Sequence, residues 1–236
     1  TPTPTPVEDE FQLQTVSGFR GLVTGSGSVI GTRGQQVIEI AEGAGYLRFD
    51  ATFNAGGDRL IFSQDAADFE IWRSGTTVNI RETGGGDATW VLLPVGPFAT
   101  DLEFADGVRT ILFDAQAGAV MLSDQQVTTE AAPITATAGA AQVVDITDPD
   151  IAARAVMGKG GSTLLGGNVD IFGNRDTDET VELSSAGRFR FDASFNSGVD
   201  HILVDAPVAG FVISRAGSTV FFDGAEIDFS IPVGAG

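Results

Sequence analysis

Residues 45–78 read GYLRFDATFNAGGDRLIFSQDAADFEIWRSGTTV, and residues 187–220 read GRFRFDASFNSGVDHILVDAPVAGFVISRAGSTV. The two stretches align without a gap at a constant offset of 142, and 16 of their 34 positions are identical. The chain is therefore built on a duplicated unit. The match resumes where Leu93-Pro94-Val95-Gly96 meets Ile231-Pro232-Val233-Gly234, now at an offset of 138. The four extra residues of the first copy fall at Gly84-Gly85-Gly86-Asp87, which reads as a longer hairpin loop. Copy one continues through residues 101–107, 109–113 and 119–122 to Val127. Copy two stops at Gly236 with no counterpart of these strands.

Within the unit the period is two. Leu47, Phe49, Ala51 and Phe53 alternate with Arg48, Asp50, Thr52 and Asn54, and turn residues such as Ser74-Gly75, Ala216-Gly217 and Asp106-Gly107 punctuate the runs. Short alternating strands at this spacing predict an all-β protein of two tandem antiparallel β-sandwich domains, Ig-like or Greek-key in type. Residues 1–16 form a Thr-Pro spacer, 17–127 the first sandwich, 128–141 a Thr/Ala/Gly/Pro linker and 142–236 the second sandwich. Asp148-Pro149 caps one expected helix over 148–156.

The charge balance narrows the function classes. Asp and Glu number 32 against 13 Lys and Arg, a net charge of −19. Such a surface repels phosphate backbones, so nucleic acid is not an expected partner. No apolar run reaches the roughly 20 residues of a membrane-spanning helix, so membrane insertion is not expected either. The absence of cysteine removes disulfides, thiolate metal sites and cysteine nucleophiles together.

The strongest constellation of polar residues is Asp50-x3-Asn54-x-Gly56-x-Asp58, repeated as Asp192-x3-Asn196-x-Gly198-x-Asp200. On an extended strand Asp50 and Asn54 share a face, and the glycine turn brings Asp58 back toward them. An all-oxygen set of this kind suits Ca²⁺. The plainer alternative is an Asx-stabilised turn. Asn174, Asp176 and Asp178 offer a second candidate with the alternating donors of a calcium loop, or else a solvated loop. Asp106, in an Asp-Gly turn, is a third.

Catalysis has little to stand on. His201 is the single histidine and replaces Arg59 of copy one, so no Ser-His-Asp set can be assembled. The chain is not expected to be an enzyme.

The strings FDASFNSGVDHI, ISRAGSTV and IPVG of copy two, with LEFADGVRTILFD and VMLSDQQV of copy one, resemble domains found in tandem in large secreted bacterial surface proteins. These domains accompany repeats-in-toxin calcium repeats, and the calyxin type of extracellular matrix protein is the nearest resemblance. It covers residues 25–127 well and 161–236 in part. The resemblance implies secretion to the cell surface, calcium, and polymerisation into fibres with other copies of the chain. The nonapeptide calcium array itself is missing, so no parallel β-roll is expected. A calcium-dependent adhesin or carbohydrate-binding module, with a glycan as partner, is the alternative. The expected route to a head-to-tail homopolymer is donation of the alternating segment Phe11-Gln-Leu-Gln-Thr-Val16 to the second domain of a neighbour, closing its missing edge.

Overall fold

The computed structural model describes residues 9–84, 88–140, 152–175 and 177–233. The hairpin loop expected at residues 84–87 lies mostly outside these residues. Repeat one contributes β1 (Phe11–Gln14), β2 (Arg20–Val23), β3 (Gly27–Ile30), β4 (Val37–Ile40), β5 (Tyr46–Phe49), β6 (Arg59–Phe62) and β7 (Phe69–Ser74). It continues with β8 (Thr77–Glu82), β9 (Trp90–Pro94), β10 (Thr100–Phe104), β11 (Gly107–Asp114), β12 (Ala119–Leu122), β13 (Gln125–Gln126) and β14 (Ala132–Pro133). Repeat two contributes β15 (Ala153–Met157), β16 (Ser162–Phe172), β17 (Thr180–Phe191), β18 (His201–Val204), β19 (Val212–Ala216), β20 (Thr219–Asp223) and β21 (Ile227–Pro232).

The all-β class holds, but the sandwich does not. Successive strands cross between two faces, and strands on one face pair in parallel with those one coil away. Phe11 lies beside Gly27 and Gly27 beside Leu47 on one face. Arg20 lies beside Val37 and Val37 beside Arg59 on the other. This is a parallel β-solenoid, with antiparallel hairpins such as β7–β8 and β10–β11 added at its ends. Alternation reports that a strand is half-buried, not which strand lies beside it, so the same pattern fits either architecture.

The repeats are not separate domains on a string. The antiparallel pairing of β1 with β15 sets Leu13 opposite Ala155, and the contact of β2 with β16 sets Val23 opposite Leu165. In both pairs each residue faces its own counterpart 142 positions on, so the repeats meet first coil to first coil across a local two-fold axis. One face runs β14–β7–β8–β9–β5–β3–β1–β15–β16–β17–β21–β20–β19. The other runs β13–β12–β11–β10–β6–β4–β2–β16–β17–β18. A single apolar core, from Phe69 and Ile71 at one end to Phe191 and Phe229 at the other, fills the space between them.

Small residues make the junction possible. A side chain on Gly21 would stand 2.4 Å from the Gly166 carbonyl oxygen, and one on Gly167 (φ +86°) would stand 2.3 Å from that of Arg20. Backbone of one repeat thus lies where side chains of the other would have to go.

Three local expectations also change. Ala153–Met157 is a strand in the middle of a sheet, not the end of a helix, and residues 148–151 lie outside the described residues. Within the expected linker, Ala132–Pro133 pairs with β7 and Ile134 and Ala136 are buried. The expected donor segment is already used: Phe11 and Leu13 are buried, and β1 is held between β3 and β15.

Candidate functional site

Asp50 and Asn54 do not lie on one extended strand. β5 stops at Phe49, and Ala51–Asn54 makes a 3₁₀ turn that carries the chain round the corner of the solenoid. Asp50 caps this turn, its Oδ1 accepting from the Thr52 backbone N–H at 2.9 Å and from the Thr52 hydroxyl at 2.6 Å. These bonds, the hydroxyl first, hold its carboxyl below the usual range. Phe53 turns inward and is fully buried, while Asn54 donates from Nδ2 to the Pro94 carbonyl at 3.1 Å. Copy two repeats the arrangement: Asp192 accepts from the Ser194 N–H at 2.9 Å and Asn196 donates to the Pro232 carbonyl at 3.1 Å. The survival of Asp and Asn in both repeats follows from this corner chemistry.

Asp58 follows the same corner, just ahead of β6, and is fully buried. Its Oδ1 accepts from the Gln36 N–H at 2.8 Å, while Oδ2 has no hydrogen-bond partner. Burial pushes its pKa up to about 7, the backbone bonds opposing that shift only in part. Asp200 holds the same place, accepting from the Glu179 N–H at 3.0 Å. There the neighbour is an acid. Glu179, fully buried, replaces the amide of Gln36, and its carboxyl stands against that of Asp200. Burial first, then Glu179 and Asp178, raises the pKa of Asp200. Neither Gln36 nor Glu179 is conspicuous in the sequence, because repeat two carries one extra residue in this loop and a gapless alignment sets Gln36 against Asp178.

The remaining candidates are also engaged locally. Asp178 accepts from the Val199 N–H at 3.0 Å, and Asn174 donates to the Met157 carbonyl at 2.9 Å. Asp176 lies outside the described residues. Asp106 forms a two-pronged ion pair with the guanidinium of Arg109, at 2.6 and 2.7 Å, which lowers its pKa. Asp50 and Asn54 thus spend their side chains on the corner, and Asp58 on the Gln36 backbone. Among the described residues no group of three or more His, Cys, Asp or Glu is placed to hold a metal ion.

The feature that stands out is the far end of repeat two. In repeat one β6 lies between β4 and β10, and β7 between β8 and β14. Among the described residues their counterparts have one neighbour each: β18 pairs with β17 and β19 with β20. The apolar side chains of this end are uncovered, with Val199 66%, Leu203 48%, Val212 70% and Ile213 52% exposed. A hollow of about 430 Å³ opens beside Asn196, Asp200, Ile202 and Ile231.

No protein-family model matches the chain, and no curated protein is similar to it. Among solved structures it is similar to the extracellular lipase LipA from Serratia marcescens, at 14% identity and a TM-score of 0.33. That likeness covers 94% of this chain but 38% of the lipase, and is too distant to bear on fold or chemistry. Among the described residues no helix is long and apolar enough to cross a membrane.

Proposed function

We propose that the chain is a non-enzymatic structural module of an extracellular assembly. The single observation that carries this reading is the continuous solenoid that the two repeats build through their first-coil junction, with one apolar core running through both.

Calcium enters this reading as a counterion. A subunit of charge −19 repels its copies, and a divalent cation screens that repulsion without needing a preformed cage. The test is sedimentation and light scattering of the pure chain in millimolar calcium, with sodium chloride at matched ionic strength and with chelator. Larger species that form in calcium and are lost in chelator support the reading. A monomer under every condition sinks self-assembly.

One observation favours the alternative of a carbohydrate-binding module. Tyr46 and Trp90 line a groove of about 620 Å³ at the junction of the repeats, together with Glu10 and Glu182. Their rings meet edge to face, 5.9 Å apart, rather than forming a flat platform. Glycan-array binding lost in Trp90→Ala would favour that alternative.

A further inference from the structure

We propose that the groove at the junction of the repeats binds an amino sugar, a polyhydroxylated ring that carries a protonated amine. This deepens the carbohydrate-binding alternative and rests on it, not on self-assembly.

The duplication shows that the rings of this groove are not required by the fold. Tyr46 lies beside Trp90 on the outer face of β5 and β9, and at the matching register of repeat two Arg188 lies beside Asp228. Trp72, the other tryptophan, packs on Trp90 at 5.6 Å and is matched in repeat two by Ser214. The one tyrosine and both tryptophans of the chain thus gather on one outer face, and repeat two builds the same corner without them. The matching hollow of repeat two, lined in part by Ala152, Asn168, Arg188 and Asp228, holds about 250 Å³ against about 620 Å³ here. It also carries its own cation, Arg188, with Nε 3.8 Å from Asp228.

The groove of repeat one offers rings, hydroxyls and carboxylates. Trp90 is held in place by its indole N–H, which donates to Asn79 Oδ1 at 3.2 Å, and Tyr46 meets it at an interplanar angle of 81°. Rings set at right angles make a corner rather than a stacking platform, and their faces attract cations. The Arg81 guanidinium already lies 5.4 Å over the Trp90 ring, its charge met by Glu70. The wall from repeat two carries Ser162, Thr180 and Glu182, whose side chains make no hydrogen bond or ion pair among the described residues. Glu10 adds a second carboxylate, its Oε2 accepting from the Ser26 N–H at 2.7 Å. No Lys, Arg or His lines the groove among the described residues. Hydroxyls and rings suit a sugar, while two carboxylates beside a ring corner suit an ammonium group. The volume is that of a small-molecule site, larger than one basic side chain of a protein partner would fill.

The test is calorimetric titration of the full chain, at mildly acidic pH, with a glucosamine tetramer, its N-acetylated form and tetralysine. Any cation gathers on a chain of net charge −19, so tetralysine measures that background. The expected result is one-to-one binding of the glucosamine tetramer, about tenfold tighter than either of the others. Glu182→Gln and Glu10→Gln should each weaken it by about two- to fivefold, the worth of one exposed charge pair. Glu182 is exposed, and glutamine at position 10 keeps an oxygen for the Ser26 N–H, so both variants fold. Failure of the glucosamine tetramer to bind overturns the proposal. So does an affinity indifferent to both variants, or tetralysine binding as tightly, because charge alone would then suffice. Equal binding of the two tetramers also overturns it, while leaving the carbohydrate-binding alternative standing.

Discussion

The two repeats fold by the same plan and end differently. Phe62 of β6 is 2% exposed and Ile71 of β7 1%, whereas their counterparts Val204 and Ile213 are half-buried and 52% exposed. Asp58 is fully buried where Asp200 is partly open. Burial in a solenoid is thus a property of the next coil as much as of the residue, since each strand depends on its neighbours for cover. Repeat two has partly adapted. Phe62 gives way to Val204 and Trp72 to Ser214, yet Leu203 and Ile213 stay apolar, and Val212 stands where repeat one has Glu70. Toward the junction the difference disappears, and equivalent residues meet across a local two-fold axis.

The junction is the place to break the comparison outright. Gly167→Val forces a branched side chain into backbone at a φ of +86°, within 2.3 Å of the Arg20 carbonyl in the other repeat. We expect a loss of about 3–5 kcal/mol or failure to fold, from combined backbone strain and overpacking. Trp72 and Trp90 both lie in repeat one, so their fluorescence reports on the repeat that was not mutated. It should fall in step with the far-UV circular dichroism. Tryptophan emission that melts at the wild-type midpoint while repeat two is lost would mean that the repeats stand independently.

A matched pair of truncations sharpens the contrast between the ends. Phe62→Ala removes a ring packed on Phe69 and Phe104, at centroid distances of 5.1 and 4.9 Å, and should cost about 3–5 kcal/mol. Val204→Ala, at the equivalent position, should cost under about 1 kcal/mol, because a half-buried group loses little on truncation. Urea denaturation of both variants measures the difference. Equal costs would mean that the edge of β18 is covered in solution.

How much of this was legible follows from the same residues. The duplication and the strands were readable, since identity, alternation and turn residues are local properties. Parallel pairing was not, because Leu47 and Phe49 alternate identically whether β3 or a hairpin partner lies beside them. The local geometry of the acidic residues was hidden for a related reason. Asp50-x3-Asn54 was read with strand geometry, but the chain turns at Ala51, and each polar group then finds a backbone partner nearby. The pairing of Asp200 with Glu179 was hidden by a one-residue loop difference that a gapless alignment passes over.

Asp58 gives a contrast that depends on pH. Its carboxyl titrates near 7 in the folded chain and near about 3.9 unfolded. The folded state therefore holds the extra proton between those values, and stability falls as pH rises from about 4 to about 7, levelling above. Asp58→Asn keeps the oxygen that accepts from Gln36 and carries no charge to bury. The variant should match the wild type near pH 4 and exceed it by about 1–3 kcal/mol at pH 8. Thermal melts across that range decide the matter; a variant less stable at pH 8 would place a favourable partner on the anionic form. Asp200 is shifted in the same direction.

The smallest expected effect separates the corner reading of Asp50 and Asp192 from the calcium reading. Each carboxylate caps a 3₁₀ turn through a backbone bond of 2.9 Å, Asp50 with a second bond from the Thr52 hydroxyl. Loss of such a cap costs about 1 kcal/mol. Asp50→Ala and Asp192→Ala should each lower stability by about that amount, Asp50→Ala the more because Thr52 loses two bonds. The losses should be the same in calcium and in chelator at matched ionic strength. A native-state calcium site would behave otherwise, since ligand bound only to the folded chain stabilises it by mass action. The wild type would then melt higher in calcium, and both variants would lose that increment together with the cap. A calcium-dependent melting temperature abolished by Asp50→Ala would thus return these residues to metal binding; an unchanged one leaves the corner as their whole role and confines calcium to contacts between copies.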